Sequence, residues 1–127
     1  MPDGLKTVLV VDDDPDARDF FITVLEDNGY ATVSARDGNE AMQRLAEGIP
    51  DLVTLDVTMP EKSGVGVYRA LRETEKFKGI PVIIITGVSG DFKQFISTRR
   101  QVPPPDAYLG KPVEAGDLAA KVTELLG

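Results

Sequence analysis

The chain has 127 residues, a net charge of −7, and neither cysteine nor histidine. Its length suits one domain, and the missing residue types exclude disulfides, thiolate metal sites and imidazole chemistry. The acidic balance argues against direct nucleic-acid binding, and no apolar run approaches the ~20 residues of a membrane span.

Thr7-Val8-Leu9-Val10-Val11 is a continuous β-branched run, the signature of a strand buried on both faces. Asp14 before Pro15 reads as a helix cap with proline in the first turn. Ala17, Phe20, Phe21, Val24 and Leu25 then recur at helical spacing, and Asn28-Gly29 stops the helix. Tyr30 to Ala35 is a weaker strand expected near an edge. Asp37-Gly38-Asn39-Glu40 resembles a capping box. It opens a helix expected to turn Ala41, Met42, Leu45 and Ala46 inward, ending at Gly48.

The apolar run Leu52 to Leu55 ends on Asp56 and is followed by Val57-Thr58-Met59-Pro60. Gly64 opens a third helix with Val67, Tyr68 and Leu71 on one face. Its polar tail, Arg72 to Lys78, reads as a solvated surface. Ile80 to Ile85 is a fourth strand, closed by Thr86-Gly87, with Pro81 where a lost N–H is tolerated. Phe92, Phe95 and Ile96 mark a fourth helix that Pro103-Pro104-Pro105 must end. Ala107-Tyr108-Leu109 is a short fifth strand before Gly110-Lys111-Pro112. A last helix buries Leu118, Val122, Leu125 and Leu126. Five strands alternating with five helices predict an α/β fold: a doubly wound, five-stranded parallel sheet with right-handed crossovers.

Parallel strands point their carboxyl ends the same way, so Asp12, Asp13, Asp56, Thr86 and Lys111 converge on one crevice. Each alone is what a cap, a turn or a solvated lysine supplies, but their joint placement at matching strand ends points to a site. Clustered carboxylates need a counter-charge. A hard dication supplies it, and Mg²⁺ suits one or two carboxylates with phosphate and water. Asp56 can then act as a nucleophile on a phosphoryl group. The Lys111 ammonium and the Thr86 hydroxyl are suited to the spread negative charge.

Val8-Leu9-Val10-Val11-Asp12-Asp13-Asp14-Pro15, Asp56-Val57-Thr58-Met59-Pro60 with Gly64, Ile83-Ile84-Ile85-Thr86-Gly87 and Tyr108-Leu109-Gly110-Lys111-Pro112 together resemble a response-regulator receiver domain, the phosphoacceptor half of two-component signalling. The resemblance spans nearly the whole chain. It implies a flavodoxin-like (βα)5 fold with strand order 2-1-3-4-5 and one domain over 1–127, with no output domain visible. By the same resemblance Asp56 is the phosphoacceptor. Asp13 binds Mg²⁺ directly and Asp12 through water, and the Thr58 backbone carbonyl completes the metal shell. Thr86 is the switch hydroxyl, Lys111 binds the phosphoryl group, and Tyr108 turns inward on activation. The Lys111-Pro112 bond is expected cis. The domain catalyses its own aspartyl phosphorylation and dephosphorylation.

The implied partners are a histidine kinase or phosphotransfer protein and a downstream effector. The effector meets the face of the fourth helix, fifth strand and fifth helix, where a homodimer is also expected. A cytoplasmic location is expected, because Met1-Pro2-Asp3-Gly4 carries no signal-peptide pattern. Two departures bear on partner geometry. The segment from Ser89 to Asp106 is longer than usual and contains Pro103-Pro104-Pro105, which ends the fourth helix early and is expected to leave Gln101 to Asp106 protruding, and Val113 replaces a common aromatic. Two rivals compete with this reading. A haloacid-dehalogenase-type phosphatase would use Asp12 and Asp14 but leaves Asp56-x-x-Met-Pro unexplained. A pseudo-receiver binding module would keep the fold without phosphorylation, although every site residue is present.

Overall fold

The computed structural model describes residues 5–56, 63–86 and 106–126. The β-branched run forms β1 (Thr7–Val11). It is flanked by β2 (Ala31–Ala35) and β3 (Leu52–Asp56), with β4 (Val82–Thr86) and β5 (Ala107–Gly110) beyond. All neighbours pair in parallel, and the order is β2-β1-β3-β4-β5, as the resemblance implies. The order reverses between β1 and β3, and a crevice opens at the carboxyl ends of these strands.

Two apolar layers sandwich the sheet, because side chains alternate along each strand. Leu9, Val11, Val53, Leu55 and Ile84 face α2 (Gly38–Glu47) and α3 (Ser63–Glu73), which contribute Ala41, Leu45, Val67, Tyr68 and Leu71. Val8, Val10, Leu52, Ile83 and Ile85 face α1 (Pro15–Asp27) and the last helix, α4 (Ala115–Leu126). These supply Phe21, Val24, Leu25, Leu118 and Val122. Leu125 and Leu126 pack at the margin of this layer.

The helix ends follow their capping residues. The Asp14 side chain accepts the Asp16 N–H at 3.0 Å and opens α1. Gly29, at φ +91°, closes it, with Tyr30 N–H reaching Leu25 O at 3.0 Å. Few residues but glycine adopt that φ, so Gly29→Ala would strain the turn. Asp37 Oδ1 accepts Glu40 N–H, and Glu40 Oε1 accepts Arg36 N–H, one residue before the usual partner of a capping box.

Several expectations need correction. Phe20 is 40% exposed and Met42 36%, and Ala46 is exposed too, so the buried stripes of α1 and α2 are narrower than the apolar periodicity suggests. Ile22 packs at the margin of the α1 layer instead. β4 starts at Val82 rather than Ile80. The tail Arg72 to Lys78 is only in part a solvated surface: Glu73, Glu75, Lys76 and Lys78 are exposed, but Phe77 and the Arg72 side chain turn inward. It contains a 3-10 turn, Glu75–Phe77, that buries Phe77 against the α2/α3 layer. The Arg72 side chain is only 7% exposed and bonds to Ile80 O and Asp106 Oδ2, each at 2.9 Å. The predicted fourth helix and the Gln101–Pro105 part of the predicted protruding loop lie outside the described residues.

Thr54 is fully buried in the central strand, and among the described residues its hydroxyl has no hydrogen-bond partner. A buried donor left unmade costs free energy that an isosteric methyl avoids. Thr54→Val is therefore expected to raise the unfolding free energy by about 1 kcal/mol, read from the urea midpoint at unchanged slope. A lowered midpoint would show that the hydroxyl contributes to stability.

Candidate functional site

The site starts from where β1 and β3 stop. Asp12 follows the last residue of β1, and its N–H donates to Ala35 O at 3.1 Å, prolonging the pairing with β2. Its side chain is wholly buried. Oδ1 accepts the Asp14 N–H at 2.9 Å, so Asp12 shapes the turn that Asp14 continues into α1. Its carbonyl accepts Arg18 Nη1–H at 2.9 Å. Asp56 is the last residue of β3 and is 1% exposed. Asp13 is exposed at the rim. The three carboxylates each offer an oxygen within 4.8 Å of the others.

Lys111, just after β5, closes the crevice. Its ammonium donates to Asp56 Oδ2 at 3.1 Å and lies 3.1 Å from Asp12 Oδ2. The contact to Asp12 has ion-pair distance without the alignment of a hydrogen bond, so among the described residues buried Oδ2 has charge compensation but no aligned donor. The Lys111-Pro112 bond is cis.

Electrostatics follow from burial and crowding. Burial raises the Asp12 carboxyl above its ordinary pKa. The Asp14 N–H opposes that rise, the charge of Asp56 adds to it, and Lys111 opposes it. Burial alone would lower the Lys111 ammonium. The close contacts with Asp56 and Asp12 and their negative charges outweigh that, and its pKa is raised. The ammonium therefore stays charged at neutral pH. The donor set is all oxygen, and one buried oxygen lacks an aligned donor. Both features fit a hard dication better than a soft one.

Thr86 ends β4 opposite Gly110 in register. Tyr108 is half-buried in β5 opposite Ile84 and packs against the α2/α3 layer, where burial pushes its phenol up. Asp14 is exposed and caps α1, and it does not join the acidic cluster. Thr58 lies outside the described residues. The topology thus brings Asp12, Asp13, Asp56 and Lys111 together.

A family model of the response regulator receiver domain matches residues 8–123. The chain belongs to the response-regulator receiver family. The polar-differentiation response regulator DivK of Brucella ovis is 32% identical over 124 residues, covering 96% of this chain and 97% of that protein. Among solved structures, the signal receiver domain of a signal transduction histidine kinase from Syntrophus aciditrophicus is 33% identical with a TM-score of 0.83. It covers 95% of this chain and 89% of its own. The chemotaxis response regulator CheY4 of Vibrio cholerae is 27% identical with a TM-score of 0.83, covering 96% and 99%. Membership places the chain in two-component signalling. Among the described residues, no helix is long and apolar enough to cross a membrane.

Two contacts of this receiver escape a reading of strand ends. Arg18 reaches back from α1 to the Asp12 carbonyl. A cation in a first helical turn, where the dipole disfavours it, is the signal that could have singled it out. Arg72 lies four residues after Tyr68, on the same face as Leu71, and its Nε donates to the Tyr68 hydroxyl at 3.3 Å. That spacing placed it on the buried side.

Proposed function

We propose that this receiver is a phosphoacceptor in a two-component phosphorelay. Asp56 takes a phosphoryl group from a histidine kinase, a phosphotransfer protein or a small acyl phosphate. A carboxylate oxygen of Asp56 attacks phosphorus, the bond from phosphorus to the donor breaks, and its electron pair leaves with the donor. Asp12, Asp13 and Asp56 would hold Mg²⁺, with the Thr58 backbone carbonyl completing the shell. When bound, the ion supplies charge neutralisation for the phosphoryl oxygens.

The observation that carries this reading is the Lys111 ammonium set 3.1 Å from both Asp12 Oδ2 and Asp56 Oδ2 at the foot of the acidic crevice. From there Lys111 orients Asp56 and can follow the charge arriving on it. Thr86 and Tyr108 serve as the switch, and the face expected of the predicted fourth helix with β5 and the last helix meets a downstream effector or a second copy. A single receiver domain over 1–127 and a cytoplasmic location go with this reading.

Incubation with a small acyl phosphate and Mg²⁺ should add one phosphoryl group to the intact mass. The addition should vanish with EDTA and in Asp56→Asn. Labelling that persists in Asp56→Asn would move the acceptor elsewhere. A wild-type protein that takes up nothing would contradict the proposal.

A further inference from the structure

We infer that Arg18 is a positioning residue of this site: it holds the Asp12 peptide so that the buried carboxylate faces the cation. The inference rests on the function proposed above. Arg18 sits in the first turn of α1, and its Nη1–H donates to Asp12 O at 2.9 Å, six residues back along the chain. Helix stability does not explain a cation there. The amino end of a helix carries partial positive charge, which disfavours a guanidinium. Nor does pairing explain it. Among the described residues, the ion pairs do not include Arg18.

The Asp12 carbonyl is one of four points at which this residue is gripped. The N–H is held by Ala35 O, Oδ1 by the Asp14 N–H, and Oδ2 faces Lys111 at 3.1 Å. Two of these, Ala35 O and the Asp14 N–H, belong to backbone that any sequence supplies. Lys111 must follow the phosphoryl group during the reaction. Among the described residues, Arg18 is therefore the one side-chain contact free to fix the peptide plane throughout. Fixing that plane fixes the direction of the Cα–Cβ bond, and with it the carboxylate.

Charge and geometry make opposite predictions about Mg²⁺. A guanidinium near a dication repels it, so loss of the charge alone would tighten binding. Loss of an outer contact that orients a ligand weakens it, typically by ~10-fold or more. The sign of the change decides between them. The dissociation constant of Mg²⁺ would be measured by calorimetry on the whole chain, as wild type, Arg18→Met and Arg18→Lys, with melting in EDTA as the fold control.

Arg18→Met should bind Mg²⁺ about tenfold more weakly. Arg18→Lys, which keeps the charge and one donor, should fall between it and wild type. Equal or tighter binding by Arg18→Met would overturn the inference, even if that variant melts lower. Should Arg18→Met not fold, Arg18→Lys decides, and wild-type affinity in that variant would overturn it. A wild-type protein that binds no Mg²⁺ would instead defeat the proposed function and this role together.

Discussion

Arg72→Ala is expected to lower the unfolding free energy by about 3 kcal/mol, equivalent to ~10 °C in melting temperature for a domain of this size. The guanidinium ties α3 to the starts of β4 and β5. Nη1 donates to Ile80 O at 2.9 Å, just before β4, and Nη2 donates to Asp106 Oδ2 at 2.9 Å, just before β5. The same Asp106 oxygen accepts the Val82 N–H at 2.8 Å, so one carboxylate joins the starts of both strands. Nε reaches the Tyr68 hydroxyl on α3, and the guanidinium carbon lies 5.2 Å from the Tyr68 ring centroid. Truncation leaves a buried carbonyl unpaired and removes the counter-charge of Asp106. Asp106 keeps a wet side, at 39% exposure, which holds the loss below that of a fully buried pair. Arg72→Lys should recover little, because one ammonium cannot span the same fork. A urea-unfolding loss under 1 kcal/mol for Arg72→Ala would show that water replaces these bonds.

Lys111→Met is expected to destabilise the metal-free protein by about 2 kcal/mol at neutral pH and to bind Mg²⁺ more tightly than wild type. Methionine keeps the apolar stem and removes the charge that Asp12 and Asp56 share. Two buried carboxylates then lack their cation, which is the costly way to break a buried pair. The pH dependence carries a sign. The folded Lys111 pKa lies above its ordinary 10.5, so its contribution is complete below 10.5 and lost as pH rises through the folded value. The wild-type advantage should therefore persist at neutral pH and close in strong alkali. Asp12 is also raised, from 3.8, so its ionised form destabilises the fold, and that cost fades as pH falls through the raised value. The variant's deficit should accordingly shrink in acid. For wild type, free Mg²⁺ at ten times its dissociation constant should add ~1.4 kcal/mol by mass action, if the proposed site binds the ion. The same free concentration should add more to Lys111→Met. A variant as stable as wild type without metal, or one with a smaller Mg²⁺ shift, would contradict the shared-counter-charge reading.

Much of the site was legible because it sits at strand ends. Val8 to Val11 and Val82 to Ile85 are apolar throughout, and Leu52 to Leu55 is interrupted only by Thr54, as suits strands covered on both faces. Once those runs are parallel, Asp12, Asp56 and Lys111 have to meet. Strand order was legible only through resemblance, since periodicity says nothing of which strands neighbour. Helix faces were read too generously. Phe20 and Met42 satisfy helical spacing, but each helix covers the sheet with a narrower stripe than its apolar residues span. Arg72 was misread because charge in a helix tail ordinarily means solvent, whereas here burial is offset by the carbonyls of Lys78 and Ile80, just after the 3-10 turn, and by Asp106. Arg18 bonds to a backbone oxygen, and its one trace in the sequence is a cation in the first turn of a helix.

The acceptor residue can be identified directly by borohydride trapping. Borohydride reduces an acyl phosphate to an alcohol, converting a phosphorylated aspartate to homoserine while leaving ionised carboxylates intact. Protein treated with a small acyl phosphate and Mg²⁺, then reduced and digested, should carry homoserine at position 56, and none when EDTA replaces Mg²⁺. Homoserine at Asp12 or Asp13 instead, or retained phosphoryl with no homoserine anywhere, would contradict phosphoryl transfer to Asp56.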